Sequence, residues 1–273
     1  MDLFLRVRRT HDEHRLLHSA LRSGGARLAP MADLIGAWVD GGGIFSTARH
    51  IWLEYDADSH LPPGAPSIVF WHLRSEDGSI ERDGEAQATI LRQASQRLNT
   101  APPPHALDLL RGVVDALPDR GEVFCVGSTE RQGVSTVRLC LHRLDIVDVP
   151  DFLETIQHPG RAHLPLETLT ALQEAGVEVK VDLDLDHAIG ERLHLELRPA
   201  SQEGWQALTA QLAGWDQRGV FQPLLAWPES GMCTTDSRIF VPLLSHIKMV
   251  VDPSTSAHLK AYLGLWECAR ISG

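Results

Sequence analysis

The sequence predicts an α+β protein in which antiparallel β-hairpins alternate with amphipathic helices that cover one side of the strands. Three observations predict it. Four pairs of segments alternate apolar and polar residues with period two. Helical periods separate those pairs, and no long linker interrupts the chain. Residues 1–45 read as an N-terminal arm of the same domain, and residues 46–273 as the repeated hairpin–helix body.

Taken in order, the first hairpin pairs residues 51–56 with 67–74. Two helices follow, one marked by Ile90, Leu91, Ala94 and Leu98, the other by Leu107, Leu110, Val114 and Leu117. The second hairpin pairs 122–129 with 135–144. A helix carrying Leu166, Leu169 and Leu172 is stopped by Gly176. The third hairpin pairs 178–186 with 191–198 through His187-Ala188-Ile189-Gly190. Trp205, Leu208, Leu212 and Trp215 then share one helical face. The fourth hairpin pairs 246–252 with 257–266 through Pro253-Ser254-Thr255-Ser256. Eight strands are legible in this way.

Composition bounds the function. The 273 residues are 43% hydrophobic, enough for a sizeable core and too apolar for a disordered chain. Lys plus Arg number 25 against 36 Asp plus Glu, and the net charge of −11 argues against a nucleic-acid partner. No apolar run approaches the ~20 residues of a bilayer span, and the start lacks a secretory signal, so we expect no membrane and a cytoplasmic location. Cys125, Cys140, Cys233 and Cys268 show no CxxC spacing and read as reduced.

Successive strand residues face opposite sides of a sheet, so parity sorts them. One side collects Ile51, Leu53, Val137, Leu139, Val181, Leu183, Leu195, Leu197, Ile247 and Met249, with Tyr55 and Trp71 as its rings. It suits burial under the helices. The other side collects Trp52, Glu54, Phe70, Arg138, Lys180, Glu196, Arg198, His246, Lys248, Lys260, Tyr262 and Trp266. Two readings of it stay open: a face wetted by solvent, or the wall of an enclosed lumen if the strands close.

Helix-backed hairpins with cations and aromatics on the far face resemble the aromatic prenyltransferases of the ABBA barrel type, which include the dimethylallyltryptophan synthases. Lys260-Ala261-Tyr262 looks like that family's Lys-x-Tyr element, and His246-Ile247-Lys248 like its Arg-x-Lys element with His in the first place. Trp52-Leu53-Glu54-Tyr55-Asp56 looks like the first-strand segment carrying an acidic base. The resemblance implies a closed β-barrel ringed by helices, with the fifth hairpin in the N-terminal arm or the barrel reduced or open. It implies transfer of a prenyl group from an allylic diphosphate to an indole, a phenol or a peptide side chain, making the chain an enzyme.

In that chemistry Arg138, Lys180, Arg198, Lys248, Lys260 and Tyr262 would hold the diphosphate as charge builds on it. Trp52, Phe70 and Trp266, with Tyr262, would shield the allylic cation, and Glu54 would accept the acceptor's proton. No metal site is expected and no cofactor is required. Mg2+ beside the diphosphate is the one cofactor admitted, because Asp182, Asp184 and Asp186 share a side. Spread over ~13 Å, these three cannot share one ion, and on a lumen wall they would repel a diphosphate. They read better as a solvated or salt-bridged strand end. The alternatives are a non-catalytic ligand- or peptide-binding accessory protein of a natural-product pathway, and a terpene cyclase on the same fold. The basic start, Arg6, Arg8 and Arg9, and the amphipathic stretch 31–39 would close one end of the barrel or dock a peptide.

Overall fold

A computed structural model describes residues 2–8, 13–26, 28–41, 45, 48–56, 68–73, 83–98, 102–131, 134–215, 233–234, 238–252 and 258–269. The chain forms two compact units. The first comprises residues 1–159 and 182–191, the second residues 160–181 and 192–273.

In the first unit β1 (Asp2–Arg8) pairs antiparallel with β2 (Ala48–Asp56). The ladder continues through β3 (Ile68–Leu73), β4 (Glu122–Arg131) and β5 (Val134–His142). Between β1 and β2 run α1 (Glu13–Ser23) and α2 (Ala29–Val39). Between β3 and β4 run α3 (Gly84–Arg97) and α4 (Pro104–Asp115), and α5 (Val149–Thr155) follows β5. Helix α3 starts where Asp83 caps it, its carboxylate accepting from the Glu85 N–H at 2.8 Å. Pro104 opens α4, where its missing N–H costs no helical bond.

The aliphatic strand face forms the core, as parity predicts: Ile51, Leu53, Trp71, Val126, Val137 and Leu139 are fully buried. The helices supply Leu34, Ile35, Trp38, Ile90, Leu91 and Leu110. Trp38 is buried without a polar penalty, because its Nε1–H donates to the Ala48 carbonyl at 2.7 Å. Phe45 lies against Trp71 with ring centroids 5.3 Å apart.

The strand β6 (Val177–Leu185) starts in the second unit and ends in the first, crossing after Val181. In the second unit its start neighbours β7 (Leu193–Pro199), which pairs antiparallel with β9 (Arg238–Val251), and β9 pairs with β10 (His258–Ala269). The two-residue β8 (Cys233–Thr234) also pairs with β9. Helices α6 (Leu166–Glu174) and α7 (Gln202–Trp215) bury Leu169, Leu172, Leu208 and Leu212. On the strands, Val179, Val181, Leu195, Leu197, Ile247 and Met249 are buried. Gly204 lets α7 touch the preceding turn. A β-carbon there would stand 2.6 Å from the Gly176 carbonyl oxygen, and Gly176 itself has φ +87°.

Among the described residues ten strands are present where the sequence pattern shows eight. The two additional strands are β1, inside the N-terminal arm, and the short β8. The expected closed barrel is corrected. Closure requires two neighbours for every strand, whereas among the described residues β1 pairs only with β2 and β10 only with β9. No described helix is long and apolar enough to cross a membrane.

Candidate functional site

In the first unit one group of described side chains on the polar face sets a guanidinium among three carboxylates. Glu54 lies on β2, Arg138 on β5, and Asp182 and Asp184 on the end of β6. Glu54, Arg138 and Asp182 are buried. Arg138 grips Asp184 with two donors on one edge of its guanidinium: Nε donates to Oδ1 at 2.6 Å and Nη2 to Oδ2 at 2.7 Å. Burial alone would favour the neutral form of Arg138. The Asp184 charge and hydrogen bonds, then Asp182 and Glu54, overcome it and raise the guanidinium pKa above its ordinary value. The arginine is therefore committed to carboxylates, and the cluster as a whole is anionic.

The three aspartates of β6 divide by role. Asp182 is buried, Asp184 holds Arg138, and Asp186 turns the chain, accepting from the backbone N–H of His187 and, at 3.1 Å, of Ala188. Of the two readings of this strand end, solvated or salt-bridged, burial removes the first for Asp182, which has no exposed surface. Among the described residues no group of three His, Cys, Asp or Glu side chains gathers to hold a metal. Trp52 is half-buried and packs against the facing cysteines Cys125 and Cys140, neither of which is in a disulfide. Phe70 sits opposite Trp52 in the β2/β3 register, and its side chain lies outside the described residues.

In the second unit the polar strand side brings together a further group of charged side chains. The β7/β9 and β9/β10 registers place Glu196, Lys248 and Lys260 in one row across three strands. Tyr262 and His246 form the adjacent pair. Lys180, Lys248 and Tyr262 are buried, so this part of the face is withdrawn from water. Lys248 Nζ stands 3.5 Å from Glu196 Oε1 and 5.7 Å from the centre of the Tyr262 ring. His246 stacks on Tyr262 with centroids 4.3 Å apart and planes 17° apart, and its Nε2 lies 3.7 Å from Glu196 Oε1. Burial pushes the Glu196 carboxyl up, but the charges of His246, Lys248 and Lys180 outweigh it and bring its pKa down to about 2.

Two ammonium groups thus surround one ionised carboxylate, with the exposed Lys260 at the row's end. Such a row can hold a polyanion beside an aromatic ring. Arg198 lies on the same strand as Glu196 but is exposed. Trp266 pairs with Val241 in the β9/β10 register, and its side chain lies outside the described residues.

Two participants are missing from the sequence-derived site. Glu196 sorts onto the polar face by parity, but only the register reveals that it opposes Lys248. Ser245 sorts onto the apolar face. The β9/β10 register skips it, passing from the His246–Tyr262 pair to Leu244–Leu263, and this bulge brings its Oγ to 3.1 Å from His246 Nδ1. No one-strand pattern signals such a bulge.

No family model matches the chain, and no curated protein matches it in sequence. A solved structure does. The crystal structure of AnaPT from Neosartorya fischeri, an aromatic prenyltransferase of the ABBA fold, is similar with a TM-score of 0.53 and 14% identity. The likeness covers 96% of this chain and 77% of that one. At this identity the fold is what the two share.

Proposed function

We propose that the chain transfers a prenyl group from an allylic diphosphate to an aromatic acceptor. The observation that carries this reading is the second unit's paired Lys248 and Lys260 beside Tyr262, with the buried Lys180 acting on the same carboxylate, in a fold like that of an aromatic prenyltransferase. As the allylic C–O bond breaks, its electron pair leaves with the pyrophosphate, and charge builds on the oxygens facing these ammonium groups. The acceptor ring's π electrons form the new C–C bond, or a phenol or indole heteroatom forms the C–O or C–N bond. The proton then released goes to a base. Glu54 is the residue assigned to take that proton, and Trp52, Phe70 and Trp266 are the rings assigned to shield the cation. Arg138, held by Asp184, is withdrawn from the diphosphate set, and the exposed Arg198 plays the lesser part in it.

The test is turnover of dimethylallyl and geranyl diphosphate with a panel of indoles, phenols and Trp- or Tyr-containing peptides, read by mass spectrometry with and without Mg2+. Prenylated product that falls at least about a hundredfold in Lys248→Ala, with the fold intact by circular dichroism, is expected. No product from any pairing would overturn the reading. One observation favours a second reading, a non-catalytic ligand- or peptide-binding protein: Lys248 and Arg138 already have carboxylate partners. Tight calorimetric binding of an aromatic ligand without product would select it.

A further inference from the structure

Away from the polar strand face, α1, α2 and α3 of the first unit enclose an open groove of about 1050 Å³. His14, His18 and Arg22 line it from α1 at spacings of four residues, which places them on one helical face. Arg15 joins them, and Arg97 enters from α3, held over the buried Phe45 ring at 5.7 Å. Two carboxylates also line the groove. Asp33 is paired with Arg22 at 2.5 Å, and Asp40 ends α2. Three guanidiniums and two imidazoles thus face two carboxylates, in a chain whose net charge is −11.

From this placement we infer that the groove docks an extended acidic peptide segment of a partner protein. The stripe of His14, His18 and Arg22 on α1 runs about 12 Å from residue 14 to residue 22 at ~1.5 Å per residue. That length matches about four residues of an extended strand at ~3.3 Å each. A compact anion such as a lone phosphate would engage one point of the stripe and leave the rest idle. Two imidazoles at this spacing would suit a transition-metal ion, but the surrounding guanidiniums oppose a bare cation. The negative charge of the whole chain does not defeat the site, since charges beyond a Debye length of ~8 Å are screened at physiological salt. The groove shares no residue with the strand face, so this inference stands whether or not prenyl transfer is found.

The experiment uses the full chain and a fluorescein-labelled hexaglutamate peptide, followed by anisotropy at low and high ionic strength. Saturable binding is expected that weakens with salt, and by roughly tenfold or more in Arg15→Glu, an exposed position that leaves the core intact. Arg97→Gln supplies a second reading from the opposite wall, with the melting curve as its control for the Phe45 contact. A hexalysine peptide should not bind. The inference is overturned by absent binding, by binding indifferent to both substitutions, or by inorganic pyrophosphate displacing the peptide at equal concentration. Zn2+ binding that His14→Gln abolishes, with no peptide binding, would instead make the groove a metal site.

Discussion

Replacing Glu196 by Gln keeps the shape of the side chain and removes its charge. In the native row Glu196 is the carboxylate between Lys248 and His246, with Lys180 acting on it as well. Its fall from the ordinary 4.5 to about 2 is worth roughly 3 kcal/mol in favour of the ionised form. Leaving two buried ammonium groups without a counter-charge costs about 3–5 kcal/mol on general grounds, which agrees. For a chain of this size that is a loss of roughly 6–12 °C in melting temperature.

The sign is fixed by linkage. A carboxyl whose folded pKa is depressed contributes stability that is fully present above 4.5 and is lost as the pH falls toward 2. Urea denaturation of the wild type and Glu196→Gln across that window should therefore show the gap between them closing with acidity. The same substitution removes a negative charge that competes with a polyanion, so inorganic pyrophosphate should bind about tenfold more tightly at neutral pH. Equal stability at neutral pH, or a gap indifferent to acidity, would refute the reasoning about the ion pair. Weaker pyrophosphate binding would refute the assignment of the row to a diphosphate.

Arg138→Met should cost about 3–5 kcal/mol at neutral pH, because it removes the buried guanidinium that Asp184 holds through two charged hydrogen bonds. The urea denaturation midpoint checks this, and a midpoint equal to the wild type would refute it. Gly204→Ala should cost about 1–3 kcal/mol, because its β-carbon meets the Gly176 carbonyl. A thermal melt at or above the wild-type value would show that the backbone yields there.

Much of the fold is legible because strand parity and helical period are local properties. The Leu195, Leu197, Ile247 and Met249 alternation declares its buried face without a partner in view. The helical face of Leu208 and Leu212 does the same, while Trp205 and Trp215 at its ends stay half-buried. The signal for β1 was also present. Leu3, Leu5 and Val7 alternate with Phe4, Arg6 and Arg8, but a lone segment with no hairpin partner nearby reads as an arm. Its partner, β2, lies some forty residues further on.

The amino-acid sequence by itself determined which side chains of one strand share a side: His246 and Lys248 on one side of β9, Ile247 and Met249 on the other. Only the tertiary structure decided who stands beside whom. Arg138 meets Asp184 across 46 positions and Glu196 meets Lys248 across β7 and β9. Register is set by backbone hydrogen bonds and by bulges such as the one at Ser245, which carry no one-residue signature. For the same reason the local charge balance around Arg138 and around Glu196 follows from pairing in space and not from composition.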